Sequence, residues 1–183
     1  NNTIDGGAGN DTIISRSLTS KSKFFGGAGE DNLQISGKDV LLSGGKGNDK
    51  LEARGRFSNN TTGNSEYVQN GKANLEGGDG NDFLYTYRVQ TANLSGGNGD
   101  DRIENHRSDN TIISGGNGND DINIYNGGQA QINAGTGNDT VKLRELQTAE
   151  INSGDGDDRI IASRIYKSVS ITTGNGSDTI VLT

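Results

Sequence analysis

The chain has 183 residues, of which 30 are glycine and only 28% are hydrophobic, and its formal net charge is −7. It contains no cysteine, which excludes disulfides and thiolate metal sites, and no apolar run near the ~20 residues of a membrane span. Without a repeating pattern such a composition would favour disorder, because little apolar surface is available to offset chain entropy.

A glycine- and aspartate-rich motif returns along almost the whole chain, from GGAGND at 6–11 to TGNGSD at 173–178. The steps between successive copies are 20, 18, 33, 19, 19, 19, 19 and 20 residues, which gives nine copies and one insertion. The sixth position is always aspartate: Asp11, Asp31, Asp49, Asp82, Asp101, Asp120, Asp139, Asp158 and Asp178.

Two columns of hydrophobic residues keep the same register as the motif. The first lies two residues before each motif: Ile4, Phe24, Leu42, Leu75, Leu94, Ile113, Ile132, Ile151 and Ile171. The second lies two residues after each aspartate: Ile13, Leu33, Leu51, Leu84, Ile103, Ile122, Val141, Ile160 and Ile180. Around these columns polar and apolar residues alternate, which is typical of strands.

Each repeat is therefore predicted to be a strand, a glycine–aspartate turn, a second strand and a second turn. Coils of this kind stack into an all-β solenoid, in which each coil contacts only its neighbours. The sequence predicts a single domain over 1–183 with about nine coils of ~19 residues, forming a rod on the order of 40 Å long at strand spacing.

The second and fourth motif positions are always glycine, which predicts positive φ or a close backbone approach at both. These residues are Gly7, Gly9, Gly27, Gly29, Gly45, Gly47, Gly78, Gly80, Gly97, Gly99, Gly116, Gly118, Gly135, Gly137, Gly154, Gly156, Gly174 and Gly176. The first position is glycine in the first six copies, and then becomes Ala134, Ser153 and Thr173.

The invariant aspartate indicates a metal site. A metal-free polar turn is the alternative, but there asparagine, serine and aspartate should interchange, as they do at the fifth position. Nine carboxylates at one coil spacing would also repel each other without counter-ions. Calcium, which takes six to eight oxygen ligands, resolves that repulsion. An EF-hand is excluded, because no Asp-x-Asp-x-Asp-Gly loop ending in glutamate is present.

The segments GGAGND (6–11), GGKGND (44–49) and GGNGND (115–120) resemble the calcium-binding repeat-in-toxin, or haemolysin-type, motif GGxGxDxUx. The resemblance implies a right-handed parallel β-helix or β-roll with calcium between successive coils. Each ion would be held by the aspartate and the second- and fourth-position carbonyls of one turn, and by the first- and third-position carbonyls and the aspartate of the next. One such set would be Gly116, Gly118 and Asp120 with Ala134, Thr136 and Asp139, and nine turns with eight gaps imply about eight Ca²⁺ ions.

The spacing departs from the familiar family pattern, which repeats every nine residues and places calcium turns on both edges of the roll. Here the motif occurs once per ~19 residues, so we expect calcium on one edge only. This layout is similar to the calcium-bound solenoid of a bacterial ice-binding adhesin with GTGND turns, a sequence that stands here once, at 135–139.

The turns of the opposite edge are irregular, and 11 of the 17 basic residues fall in them or in the insertion. We expect this basic edge to attract an anionic surface polysaccharide or another rod, or else to be merely solvated. The insertion at 54–71 is predicted to fold Phe57, Tyr67 and Val68 over an outward aromatic patch of Phe83, Tyr85 and Tyr87. An exposed aromatic sugar-binding patch is the alternative.

No catalytic arrangement is recognisable, because the single histidine, His106, has no nucleophile arranged around it, and there is no phosphate loop. The chain is expected not to be an enzyme, to bind no nucleic acid and not to insert into membranes. Ice binding is disfavoured, because the third motif position contains threonine only at Thr136.

We expect a calcium-stabilised extracellular or cell-surface structural module that folds on binding Ca²⁺, as a filament subunit or an adhesin segment. The alternatives are an accessory module of a larger secreted enzyme or toxin and, less favoured, an ice- or polysaccharide-binding solenoid. Because the chain starts at Asn1 rather than methionine and shows no polar capping segments, it is expected to be a segment of a longer protein or a subunit that stacks head to tail. In the second case calcium would join the Asp178 turn to the Asp11 turn of the next copy.

Overall fold

The structure is a computed structural model that describes residues 2–18, 21–55, 57–59, 65–67 and 71–183. These residues form strands β1 Asn2–Ala8, β2 Thr12–Leu18, β3 Ser22–Ala28, β4 Asn32–Gly37, β5 Val40–Lys46, β6 Lys50–Arg54, β7 Phe57–Asn59, β8 Ser65–Tyr67, β9 Lys72–Asp79, β10 Phe83–Tyr87, β11 Thr91–Asn98, β12 Arg102–His106, β13 Asn110–Asn117, β14 Asp121–Thr136, β15 Thr140–Asp155, β16 Arg159–Thr172 and β17 Thr179–Leu182. In this described part of the chain no helix has the length and apolar character needed to cross a membrane.

The chain winds into about nine coils, each consisting of one strand that enters a motif and one strand that leaves it. Entering strands pair in parallel with entering strands, and leaving strands with leaving strands, so that each residue faces its equivalent in the next coil. Motif glycines accordingly align as Gly97, Gly116 and Gly135 along the rod. We call the two flat sides the pre-motif face and the post-motif face. The predicted parallel β-solenoid with ~19-residue coils is confirmed.

Both predicted hydrophobic columns lie in the core between the two faces. Ile113 pairs with Ile132 in one column and Ile103 with Ile122 in the other. Column members are at most 9% exposed except in the outermost coils, where Ile4 is 44% exposed, Ile180 is 46% exposed and Ile171 is partly buried. The aliphatic ladders predicted from the periodicity are therefore the core of the fold.

Two further buried columns were not predicted from the sequence. One follows on the post-motif side: Ile35, Ala53, Thr86, Asn105, Ile124, Leu143 and Ala162. The other precedes the first column on the pre-motif side and holds small residues: Ser22, Val40, Ala73, Ala92, Thr111, Ala130 and Ala149. The polar members of these columns hid them from a search for apolar periodicity.

A buried hydrogen-bond network accommodates the polar members of the two columns. The Asn105 amide donates to Thr86 Oγ1 at 2.6 Å and to Ser108 Oγ at 2.8 Å, and its oxygen accepts from Thr111 Oγ1 at 3.1 Å. All four side chains are at most 2% exposed. Because a buried amide is costly only when its groups lack partners, this network lets the core tolerate an asparagine.

The insertion leaves the stack between Arg54 and Lys72, at the edge opposite the motif, and does not interrupt the coils. Strand β5 pairs directly with β9, and β6 with β10. Within the insertion β7 and β8 form an antiparallel pair in which Phe57 faces Tyr67. The predicted covering of the aromatic patch by Phe57, Tyr67 and Val68 depends on side chains outside the described part of the structure.

Candidate metal-binding edge

The motif turns have the backbone conformation that only glycine adopts easily. The second- and fourth-position glycines have φ between 98° and 143°, with the exception of Gly174. At Gly174 a side chain is excluded differently, because a Cβ there would lie 2.1 Å from the carbonyl oxygen of Gly154. The expectation of positive φ or close approach is thus met at both motif positions.

The motif aspartates form a hydrogen-bonded ladder from coil to coil. In each gap the backbone N–H of one aspartate donates to Oδ1 of the aspartate in the next coil, at 2.7–3.0 Å. The ladder continues across the insertion, where Asp49 N lies 2.7 Å from Asp82 Oδ1. An asparagine oxygen could accept the same bond, so this contact does not explain why the position is always aspartate.

The second carboxylate oxygen explains why the sixth motif position is always aspartate. Oδ2 is buried and has no hydrogen-bond partner in eight motif aspartates: Asp11, Asp31, Asp49, Asp82, Asp101, Asp120, Asp139 and Asp158. Seven of these side chains, from Asp31 to Asp158, belong to residues no more than 2% exposed. A buried carboxylate oxygen without a donor carries a large desolvation cost, which a proton or a bound cation must offset.

A second oxygen converges on the same space. A Cβ built on Gly96 would lie 2.1 Å from Asp101 Oδ2 and 2.6 Å from the carbonyl oxygen of Gly115, the first residue of the next motif. The same pair of oxygens crowds Gly6, Gly77 and Gly115. Glycine at the first motif position therefore leaves space in which a carbonyl oxygen approaches a carboxylate oxygen that has no hydrogen-bond partner.

Burial shifts the titration of these carboxyl groups. It raises the pKa of Asp82 and Asp120 to about 7 and the pKa of Asp101 and Asp139 to about 6, against an ordinary value of 3.8, and it also raises the pKa of Asp49. The hydrogen bond from the preceding coil opposes this shift, and nearby carboxylates add to it. The fold thus disfavours the charged carboxylate unless a cation accompanies it.

These groups fit a hard cation with oxygen ligands. In the described residues no three side chains of His, Cys, Asp or Glu come together, so carbonyl oxygens must complete any site. Carbonyls of the second and fourth positions point towards the next coil: Gly116 O lies 2.0 Å and Gly118 O 2.2 Å from a Cβ built on Gly135 and Gly137. The third-position carbonyl, as in Thr136, accepts one N–H at 2.8 Å and has a second lone pair.

Calcium prefers such a mixture of carboxylate and carbonyl oxygens. The structure places the aspartates and carbonyls named from the sequence at the same edge of the rod, and brings an aspartate Oδ2 and a carbonyl of the next coil together at Gly6, Gly77, Gly96 and Gly115. Which of these oxygens coordinate each ion remains a prediction.

Two side-chain ladders flank the aspartates and were not predicted. At the fifth position the side-chain oxygen accepts the backbone N–H of the next coil, as Asn119 Oδ1 does from Asn138 at 2.7 Å. At the third position the side chains bond to each other, with Asn98 to Asp79 and Asn117 to Asn98 both at 2.8 Å. Asparagine or aspartate at seven of the nine fifth positions was the signal that could have revealed the first ladder.

His106, the single histidine, lies on the post-motif face away from the motif edge. Its ring lies 5.5 Å from Tyr85 and 5.8 Å from Tyr125 between centroids, and Nε2 lies 3.9 Å from Glu104 Oε2. Burial lowers the pKa of His106 below its ordinary value. The His106 ring is thus part of a row of aromatic side chains.

Comparison with known families agrees with the geometry. The family model of the RTX calcium-binding nonapeptide repeat matches four copies, at residues 1–17, 25–55 and 69–88, which contain the first four motifs. The five later motifs lie outside these segments but continue the same register. No curated protein and no solved structure matches the chain. The RTX calcium-binding repeat suggested by the motif is thus confirmed in these segments, and together with the β-solenoid it supports a calcium-binding repeat module.

Proposed function

We propose that this module is a calcium-dependent rod of an extracellular or cell-surface protein, in which bound ions hold successive coils together. The observation that carries the proposal is the row of eight buried, unpartnered Oδ2 atoms, one for each gap between coils. Calcium, when bound, supplies a positive charge between the carboxylates of adjacent coils. The chain supplies the oxygens, the glycine turns that admit them, and the Oδ1 bonds that orient each carboxylate.

The same oxygens make folding conditional on calcium. At neutral pH a chain without metal must bury carboxylates whose raised pKa values record the cost of their charge. A ligand that binds only the folded state stabilises it by mass action. We therefore infer that the chain is unfolded at low calcium and folds at the ~1 mM calcium for which extracellular calcium modules are suited.

Circular dichroism with and without a chelator tests this proposal. The β-signal is expected at 1 mM CaCl₂, lost in excess EGTA, and not restored by equal MgCl₂, because Mg²⁺ demands a smaller octahedral site. An unchanged β-signal in EGTA at pH 7.5 would refute conditional folding.

The first and last described coils expose side chains of the core columns: Ile4 at 44%, Ile180 at 46% and Leu182 at 57% exposure. A second copy stacked head to tail would cover them in a filament, and neighbouring coils of a longer chain would cover them in an adhesin or in an accessory module of a secreted enzyme or toxin. We favour the filament or adhesin. Electron microscopy of the calcium-loaded protein separates the cases, because a filament subunit gives long uniform fibres and an isolated segment gives dispersed rods.

A further inference from the structure

The post-motif face carries aromatic side chains at successive coil positions. Tyr87 and His106 are register partners, and so are His106 and Tyr125. Arginines cap this row of rings, with Arg54 Cζ 5.5 Å from the Tyr85 ring centroid and Arg144 Cζ 5.3 Å from that of Tyr125. These aromatic residues are partly buried, and Tyr125 lies 5.8 Å from the His106 ring between centroids as well as next to Arg144.

A groove of about 500 Å³ begins at the end of this row, where His106 and Tyr125 line it, and continues along the rod. Its lining comes from four successive coils and includes His106, Tyr125, Asn123, Lys142 and Arg144. At ~4.8 Å per coil the groove extends on the order of 15 Å, which suits an extended chain rather than a single small molecule. Its lining runs from Arg102 to Ser163, so the groove lies in later coils than the insertion between Arg54 and Lys72.

The groove lining carries charges of both signs, and two of its cations are paired with its two carboxylates. Lys142 Nζ lies 2.9 Å from Asp121 Oδ1, and Arg102 Nε donates to Glu104 Oε1 at 2.8 Å. Such pairs present fixed donors and acceptors to a hydroxylated ligand but little net field to a polyanion. Ring faces beside paired polar groups match the two surfaces of a pyranose, which is apolar on its C–H face and rich in hydroxyls at its rim.

We propose that this groove, which we call the aromatic groove, binds an extended neutral oligosaccharide, with the exposed part of Tyr125 packing against a sugar ring and Asn123, Lys142 and Arg144 bonding to its hydroxyls. The ligand would run along the rod axis, perpendicular to the strands. The groove exists only when the coils are stacked, so the inference rests on the calcium-dependent fold proposed above. It differs from the expectation of an anionic polysaccharide at the basic edge in both location and ligand charge.

Calorimetric titration of the calcium-loaded protein with a panel of neutral hexasaccharides tests the inference. The panel holds cellohexaose, laminarihexaose, mannohexaose and maltohexaose, with a hexauronate as the charged comparator. At least one neutral member is expected to bind, with Tyr125→Ala weakening it about tenfold, or ~1.4 kcal/mol. The matched control is Tyr166→Ala, because Tyr166 is 63% exposed and lies outside the groove. This control should leave affinity unchanged.

Three results would overturn the inference: no neutral member binds, Tyr125→Ala binds as well as the parent, or the hexauronate binds more tightly than every neutral sugar. Circular dichroism in calcium accompanies each titration, and Arg144→Met replaces Tyr125→Ala if that variant loses its β-signal. A protein that keeps its β-signal and its sugar affinity in EGTA would refute conditional folding alone, so the two proposals fail separately.

Discussion

Replacing Asp120 by asparagine should have opposite effects on stability with and without calcium. Without calcium, Asp120→Asn keeps the Oδ1 acceptor for Asp101 N–H at 2.8 Å and removes a buried charge. Its new amide can also donate to the Ala134 carbonyl, which crowds the same pocket: a Cβ on Gly115 would lie 2.2 Å from Ala134 O and 2.3 Å from Asp120 Oδ2. The calcium-free form should therefore be as stable as the parent or more stable at pH 7.5.

With calcium the same change should be strongly destabilising. Asp120 borders two gaps, so its loss is expected to remove two ions. At calcium a hundredfold above the dissociation constant each site adds ~2.7 kcal/mol, which gives a loss of ~5 kcal/mol. Asp178 borders one described gap, in which its Oδ1 accepts a bond from Asp158 N. Asp178→Asn should therefore lower the stability of the calcium-loaded form about half as much as Asp120→Asn does.

Urea denaturation followed by circular dichroism, with calorimetric counting of bound calcium, measures both effects. The matched control is Asp121→Asn at the neighbouring residue, whose carboxylate is outward and paired with Lys142 at 2.9 Å. This surface pair should be worth at most ~1 kcal/mol and should leave the calcium count unchanged. If Asp120→Asn keeps the parental calcium count, or destabilises the calcium-loaded form no more than the control does, the shared-carboxylate reasoning is wrong.

Three further predictions follow from the same contacts. Because burial raises the pKa of four motif aspartates to about 6 or 7, calcium-free folding should be most favourable below pH ~4 and should be lost as pH rises through 6–7. Calcium affinity should instead fall as pH drops through that range, because protons then compete with the ion. Circular dichroism and calcium titration at pH 5 and 8 check both directions, and a calcium-free β-signal that grows with pH would contradict them. Gly96→Ala should weaken calcium binding, since the added Cβ would lie 2.1 Å from Asp101 Oδ2, whereas Ala134→Gly should strengthen calcium binding. Calcium titration measures both changes, and equal isotherms for the two variants would argue against the role of glycine at the first motif position. Asn105→Ala should lower the free energy of unfolding at saturating calcium by ~1–3 kcal/mol, because it leaves buried hydroxyl groups without hydrogen-bond partners. The outward Asn123→Ala should lower it by less than ~0.5 kcal/mol, and equal losses for the two variants in urea denaturation would refute the role of the network.

The fold could be predicted because its main columns are chemically uniform. Ile113 and Ile132 belong to a column without a polar member, and the 19-residue spacing aligns them without any knowledge of the turns. The column that contains Asn105 could not be found this way, because its burial depends on hydroxyls that come together only in three dimensions. Apolar periodicity in a sequence reveals buried hydrophobic side chains, but it does not reveal buried polar side chains that hydrogen-bond to one another.

The candidate site was predictable to the level of residue type. The contrast between the fifth and sixth positions pointed to metal, and the unpartnered Oδ2 atoms give that contrast its physical cause. The opposite edge was not predictable, because residues such as Arg107 and Glu145 adopt φ of 60° and 61° there without being glycine. A left-handed conformation costs such residues ~1–2 kcal/mol, which the stacking of neighbouring coils overrides and local propensity cannot foresee.

The position of the insertion separates what this architecture must keep from what it can vary. The chain departs after Arg54 and returns at Lys72, yet Leu42 still meets Leu75 and Asp49 N still lies 2.7 Å from Asp82 Oδ1. The motif edge of the rod thus keeps its register and hydrogen bonds, whereas the opposite edge accommodates inserted loops. Peptides grafted into the opposite edge at other coils would be displayed at defined intervals along the rod.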